Sequence, residues 1–456
     1  MSKEKDIFLE DSKISFDKKH RKTINFNISK YDEAVRRGKL RYRDMDLAKA
    51  RASYIKAKVV ADLATYLKEF ENNALKNGIE VVWARNGAEA ITEIIRILKE
   101  NKAQLLVKSK SMISEEIELN ENVEKEGIEP VETDLGEFIV QVAGEKPYHI
   151  LTPAMHKSKE DVANLFNEKF ETSKHSTPEE LTLFVREKLR KKFTSAEIGV
   201  TGANFLLADV GGVALTENEG NGLMSVSFPK VHIVISGIEK ILPSINDLPL
   251  FFPLLSALGT GQQVTVYNSV FTGAKSDFES NGPEKMVVVL LDNKRSEIAQ
   301  EIEQSQALKC IRCGACLNAC PIYKNVGGYT YNTTYSGPIG SIISPYFKGF
   351  DKYNHLSFAC TVCGACSEVC PVKIPLHDLL LLNRKKSVDE NNGSWSWNAG
   401  MKAYEIAFKK RKYLDAVNGN MKNNLVGINK HVLGKDKQFP SFAKHSFSKT
   451  WKLNLK

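Results

Sequence analysis

All eight cysteines of the chain fall in two runs, CIRCGACLNACP at Cys310–Pro321 and CTVCGACSEVCP at Cys360–Pro371. Each run reads C-x2-C-x2-C-x3-C-P. Thiolates at this spacing hold iron–sulfur cubanes: three come from one tight loop around a corner of the cluster, and the fourth is carried onward to the other cluster. The spacing predicts two [4Fe-4S] clusters, one on Cys310, Cys313, Cys316 and Cys370, the other on Cys360, Cys363, Cys366 and Cys320. A disulfide framework belongs to short secreted chains, and structural zinc takes paired knuckles set well apart, so neither accounts for the pattern. Gly314 and Gly364 let the backbone approach sulfide closely, Ala315 and Ala365 keep bulk away, and Pro321 and Pro371 fix the backbone beyond the fourth cysteine. Such a pair of clusters is a one-electron relay with no bond-making role of its own.

A second set of residues with chemical potential lies upstream. The stretches VKSKSMISEEIELN and VETDLGEFIVQVAGEKPYHILTPAMHK bring Lys108, Lys110, Glu115, Glu116, Asp134, Glu137, Gln141, His149 and His156 into one region. The stretch GVTGANFLLADVGGVALTENEGNG, followed by GIEKILP, adds Thr201, Asn204, Asp209, Asn218, Glu219 and Lys240. A glycine-rich turn with Thr201 and Asn204 after a strand can offer backbone amides to a carboxylate or phosphate, with Lys240 adding charge. The candidate pocket residues are therefore Lys108, Lys110, Glu137, His149, Thr201, Asn204, Asp209, Asn218, Glu219 and Lys240; no catalytic residue is identified. Each has a structural alternative: a lone histidine is more often a satisfied core residue, Asp134 and Glu137 can cap a helix, and NEGN reads as a turn. No G-x-G-x-x-G opens a helix, so no dinucleotide fingerprint is present.

The elements that must position these groups follow from periodicity. Residues 45–76 read as one amphipathic helix with Leu47, Ile55, Val59, Leu63, Leu67 and Phe70 on a stripe and Asn77–Gly78 as its stop. From there to about Arg295, strand-like runs (IEVVWA, AQLLVKS, VHIVISG, KMVVVLLD) alternate with helical ones such as GAEAITEIIRILKEN, which implies an α/β domain on a parallel or mixed sheet. The 39 residues between Cys320 and Cys360 exceed a compact ferredoxin hairpin, and GSIISPYFKGF and NHLSFAC read as helices, so the cluster module is expected to be helical. The expected organisation is a helical segment over 1–78, the α/β domain over 79–296, the helical two-cluster ferredoxin over 297–380 and a helical or irregular tail over 381–456.

At 456 residues and 42% apolar composition the chain can bury a large core in more than one domain. The net charge of +9 belongs to the end of the chain: residues 371–456 carry 17 lysines and arginines against 6 acids. No nucleic-acid motif accompanies the basic tail, which suits an acidic partner, peripheral contact with an anionic membrane, or a solvated helical face. The opening residues have no apolar signal region, and LPLFFPLLSAL is too short to span a membrane, so a cytoplasmic location is expected.

The combination of KSKSMISEEIELN, VETDLGEFIVQVAG, GVTGANFLLADVGG, ENEGN, GIEKILP and DNKR ahead of the two cysteine runs resembles the lactate utilization protein B family. Tyr148, Asp209–Val210 and Lys294 depart from the family's pattern; the cysteine runs do not. The resemblance implies an N-terminal lactate-utilization domain, related in fold to the NagB, ribose-phosphate isomerase and CoA-transferase group, ahead of the ferredoxin. It also implies an iron–sulfur electron-transfer subunit of a system oxidising L-lactate to pyruvate. Its implied partners are a cysteine-motif subunit of the heterodisulfide-reductase kind and a second lactate-utilization-domain protein. No flavin or nicotinamide motif supplies a two-electron centre here, which places that chemistry in a partner. The alternatives are an electron-transfer subunit for another small hydroxy acid, or an acyl- or phosphate-binding enzyme whose clusters sense redox state.

Overall fold

The structure, a computed structural model, describes residues 2–392, 395–428, 440–447 and 450–451, without the side chains of residues 396, 397, 414 and 428. Its strands, in chain order, are β1 (Glu80–Ala84), β2 (Leu105–Lys108), β3 (Glu129–Glu132), β4 (Ile198–Gly202), β5 (Phe205–Leu207), β6 (Gly212–Glu217), β7 (Val231–Gly237), β8 (Ile241–Leu242), β9 (Tyr267–Phe271) and β10 (Lys285–Leu291). Six of them form a wholly parallel sheet in the order β1-β10-β7-β4-β2-β3. The other four form a mixed sheet in the order β8-β5-β6-β9, with β5 and β8 parallel and the remaining pairs antiparallel.

The parallel sheet is covered on both faces, as its continuous apolar strands require. Ile233 and Ile235 of β7, with Val287 and Val289 of β10, face one core with Ile94, Ile97 and Leu98 of the helix Gly87–Glu100. Val234, Met286 and Val288 face the other, with Leu67 and Phe70. The two-residue alternation of strand side chains divides these residues between the faces.

Residues 45–76 form two helices, Met45–Ala61 and Leu63–Lys76, rather than the single one expected. Asp62, at φ −135° and ψ 49°, leaves helical geometry and resets the phase between them. The first helix buries Lys49, Ala52, Lys56 and Val59, so Leu47 points outward at 66% exposed. Buried Lys56 is satisfied by donating from Nζ to the carbonyls of Glu239 (2.5 Å) and Ile241 (3.2 Å). Lys294 takes φ +75°, a conformation that glycine occupies without strain.

The region after the α/β fold is helical. Short helices Ala315–Ala319 and Ala365–Val369 follow the two cysteine loops and pack on each other, with Gly337–Lys348 and Leu376–Asp389 beside them. This region does not stand apart from the chain before it. One apolar core joins Phe8, Ile24, Ile28 and Ala52 of the N-terminal helices, Phe251 and Leu255 of the helix Leu248–Gly259, and Leu317, Ile342 and Leu379 of the cysteine region. By its contacts the chain divides into two compact units, residues 1–390 and 391–456. The second contains the helices Trp395–Lys409 and Gly419–Ile428. Among the described residues no helix is long and apolar enough to cross a membrane.

Candidate functional site

The two cysteine loops have the same backbone. Arg312 and Val362, each two residues past the first cysteine of its run, take φ +59° and +56°, and Gly314 and Gly364 take +74° and +81°. These left-handed turns curl each loop so that the amides of Arg312 and Val362 donate to the sulfurs of Cys310 (3.4 Å) and Cys360 (3.2 Å). Beyond the loops the runs differ. Pro321 opens the helix Pro321–Val326 with Cys320 as its cap, whereas Pro371 enters a turn in which Ile374 N–H donates to Cys370 Sγ at 3.4 Å.

The thiols fall into two groups. Burial first, then Cys370 and Cys310, push the Cys313 thiol up, and Cys316 is raised by burial together with Cys310, Cys313 and Cys370. Burial and then Cys320 and Cys360 push Cys366 up to about 12; Cys320 is raised by burial and by its neighbours Cys360 and Cys363. Neighbouring thiols, several of them buried, resist ionising together unless cations neutralise them, as a metal cluster would. All eight are free cysteines. Cys310, Cys313, Cys316 and Cys370 line a hollow with Ile150, Gly314, Leu317 and Ile339, whose apolar walls and small residues suit a cubane.

Among the described residues, Ile150 and Leu151 of the α/β region cover the first loop at Gly314, with no such cover at Gly364. A side chain at Gly314 would meet Ile150 and Leu151 at 3.1 Å, and Cys313 is 6% exposed; at Gly364 nothing lies within 4 Å, and Cys363 is exposed. Tyr148 anchors the covering segment. Its carbonyl accepts from Tyr323 Oη (3.0 Å), its hydroxyl pairs with His20 Nε2 (2.8 Å), and its ring stacks on His156 with centroids 4.9 Å apart.

A cavity of about 290 Å³ opens at the carboxyl ends of β2, β4 and β7, the end of a parallel sheet at which ligands bind. Its wall includes Lys110, Asn204, Asn218, Glu219 and Lys240, and also Arg312 and Ile150, which equally line the first cysteine hollow. Beneath it lies a buried ion network. Arg295 grips Glu116 with Nη1 (2.9 Å) and Nη2 (2.7 Å) and donates from Nε to Glu239 (2.6 Å); Tyr335 Oη donates to Glu116 (2.6 Å). Arg312 Nη2 reaches Glu239 at 3.3 Å, and its guanidinium lies 4.5 Å above the Tyr335 ring. Burial works to raise Glu239, but Arg295, Arg312 and Lys240 hold it down at about 2. Burial first, and Arg312 second, bring Lys240 down to about 8.

Lys108, Glu137, His149, Thr201 and Asp209 lie outside the cavity wall, whereas Asp134 lines it. Lys108 is buried among carboxylates, 2.6 Å from Glu132 and 2.7 Å from Glu115, and burial, with Glu132 second, raises neighbouring Glu137 well above the ordinary range. His149 Nδ1 accepts from the amides of Leu151 (3.0 Å) and Thr152 (3.3 Å), and burial followed by Lys110 lowers it to about 3, so it is a neutral core histidine. Thr201 Oγ1 pairs with buried His232 at 2.8 Å, and Asp209 accepts from Ile245 N–H (3.0 Å). Asp134 caps the helix Leu135–Ala143 by accepting from Glu137 N–H (3.0 Å). Of the ten candidates the cavity gathers Lys110, Asn204, Asn218, Glu219 and Lys240. Sequence reasoning missed Ser109, Glu239, Arg295 and Arg312 as site residues; the available signal was polar and charged residues just past strand ends and inside a cysteine loop.

Comparison with known proteins matches two stretches of the chain. The LUD domain family matches residues 67–291, and the 4Fe-4S dicluster domain family matches residues 306–374. The chain is 42% identical over 360 residues to lactate utilization protein B of Bacillus velezensis, covering 78% of this chain and 75% of that one. It is 44% identical over 354 residues to lactate utilization protein B of Bacillus subtilis, with 77% and 74% covered. The dicluster match and the eight free thiols assign two [4Fe-4S] clusters to the cysteine region.

Proposed function

The chain belongs to the lactate utilization protein B family, and from that premise we propose that it is the iron–sulfur electron-transfer subunit of a complex oxidising L-lactate to pyruvate. The observation that carries this reading is the shared wall: Arg312 and Ile150 line both the sheet-end cavity and the first cysteine hollow. A small molecule in the cavity would lie one side chain away from that loop, while the open second loop, with Cys363 exposed, is accessible to a partner protein.

In this reading Cys310, Cys313, Cys316 and Cys370 hold one cluster and Cys320, Cys360, Cys363 and Cys366 the other. The grouping of thiols by proximity supports these sets. When bound, the clusters supply one-electron transfer between a donor and an acceptor. The chain's own residues do the positioning. Tyr148 holds the segment carrying Ile150 and Leu151 against the first loop, and the Glu116–Arg295–Glu239 network fixes Arg312 between cavity and loop. Removing a hydride equivalent from lactate needs a two-electron centre, which we assign to a partner: a cysteine-motif subunit or a second lactate-utilization-domain protein.

The test is anaerobic co-purification with native partners, then addition of L-lactate while iron–sulfur absorbance is followed. Bleaching is expected with L-lactate and not with D-lactate or glycolate, and the isolated chain should hold iron and sulfide without lactate turnover. Robust turnover by the isolated chain would overturn the division of labour. Clusters that dithionite reduces but L-lactate leaves oxidised in the intact complex would overturn the substrate.

A further inference from the structure

The helix Met45–Ala61 buries lysines where an amphipathic helix buries hydrocarbon. Lys49, Ser53 and Lys56 are spaced four and three residues apart, so they lie along one face of it. The helix meets the short turn Gln304–Lys309, which leads into the first cysteine run. Lys49 Nζ donates to the carbonyl of Glu368 (2.7 Å), two residues before Cys370. Lys309, next to Cys310, donates from Nζ to Ser53 Oγ (3.2 Å), and Lys56 donates to the carbonyls of Glu239 and Ile241. These three lysines are 8%, 5% and 1% exposed. Burial lowers Lys49 and Lys309, and in both Cys370 is the foremost charge opposing it. Burial also lowers Lys56, opposed by Glu239 and then Cys310. Three ammonium groups from two elements therefore converge on Cys310 and Cys370.

What these groups lack is a counter-ion from the chain. Each donates to neutral oxygens, and among the described residues none of the three has a carboxylate within ion-pair distance. The nearby acids are already engaged: Glu239 holds Arg295 and Arg312, and Glu116 holds Arg295. An ammonium buried without a counter-ion is strongly destabilising. A cluster held by four thiolates is anionic, and each electron it accepts adds a further negative charge. The two cysteine runs differ in this respect although their loops share one backbone. Lys309 and Arg312 of the first run stand where the second has Ala359 and Val362. Beside the second run Arg384 Nη2 donates to the Cys360 carbonyl (2.6 Å), and Cys363 is exposed to water, which screens charge.

We infer that Lys49, Lys56 and Lys309 are the counter-ions of the first cluster, stabilising the electron it accepts and so raising its potential rather than that of the second. The inference rests on the proposed ligand sets, in which Cys310 and Cys370 hold one cluster, and not on the substrate. The step is the addition of one electron to the cluster, from dithionite in the test below. No bond to the lysines forms or breaks; the added charge is met by ammonium groups already in place. The lysines touch no substrate and act on the cluster through charge alone.

The experiment is a redox titration of the full-length chain, purified anaerobically with its iron, poised with dithionite and followed by electron paramagnetic resonance. Two midpoint potentials are read, and the signal less broadened by a soluble dysprosium chelate is that of the first cluster, since Cys363 of the second is exposed. Lys49→Gln and Lys56→Gln, at unchanged iron content, should each lower this one potential by about 59 mV or more, a tenfold loss in the one-electron equilibrium. The other potential should stay where it is, and Lys49→Arg should recover most of the shift. Both potentials unmoved in both variants would overturn the inference. Lys49→Gln moving one potential and Lys56→Gln the other would mean that Cys310 and Cys370 hold different clusters, and the ligand sets would fall with it. If Lys56→Gln loses iron, Lys49→Gln and Lys309→Gln decide in the same way. Iron lost from the glutamine and arginine variants alike would make the lysines packing residues, which also overturns the inference. None of these readouts involves lactate, so lactate-driven bleaching in the complex succeeds or fails independently of them.

Discussion

Arg295 is fully buried at the base of the cavity and neutralises two carboxylates, Glu116 and Glu239, that are themselves 4% and 2% exposed. Such a network contributes little net stability against an apolar substitute, but removing one partner strands a buried charge at a cost of about 3–5 kcal/mol. Arg295→Ala should therefore lower stability by about that amount in denaturant unfolding. The same network gives a pH dependence of definite sign. Glu239 is held at about 2 against an ordinary 4.5, so the folded state binds this proton less readily than the unfolded chain. Its contribution is fully present above pH 4.5 and is lost as pH falls toward 2. Comparing Arg295→Ala with the parent at pH 7 and pH 4, the stability gap should narrow at the lower pH; a gap that widens on acidification would contradict the assignment.

At the scale of elements, the two cysteine loops have one backbone and two environments. Gly314 and Gly364 share the left-handed turn, so alanine at either position strains the backbone by about 1–2 kcal/mol. Gly314→Ala must in addition displace Ile150 and Leu151, whereas a side chain at Gly364 has no other protein atom within 4 Å. The expected outcome is a larger loss of thermal stability and bound iron for Gly314→Ala than for Gly364→Ala. Equal losses would mean that the Ile150–Leu151 segment does not brace the first loop. The contrast also bears on function, because the braced loop adjoins the cavity and the unbraced one faces solvent.

In the whole molecule, the cysteine region is not a module hung on the α/β fold. Leu317, Ile342 and Leu379 share a core with Phe8, Ile24 and Phe251, while the parallel sheet keeps two cores of its own. Metal binding at sites that do not preform is coupled to folding, so stripping the iron should loosen every element in the shared core. After chelation under reducing conditions, amide hydrogen exchange should accelerate in Lys18–Lys39 and Leu248–Gly259 as well as in the cysteine region. The strands β7 and β10 should stay protected. Exchange confined to the cysteine region would instead make it a separable module.

The cysteine runs, the strands β7 and β10 and the stop at Asn77–Gly78 were legible in the sequence, because a short apolar run, the spacing of a loop and a helix stop are local. The break at Asp62 was not, since a stripe that continues in sequence can change face where the backbone bends. Nor was the membership of the cavity. Lys108 and Lys110 are two residues apart, yet Lys108 is locked among Glu115 and Glu132 while Lys110 lines the cavity. Arg312, Glu239 and Arg295 come from a cysteine loop and the ends of two different strands, and only the stacking of cysteine region on sheet brings them together. Sequence by itself determined which chemistry the thiols can do, because four ligands at fixed spacing define a metal site. Which groups face that site, and which loop faces solvent, were decided by tertiary packing, because convergence across a sheet end depends on contacts between residues far apart in the chain.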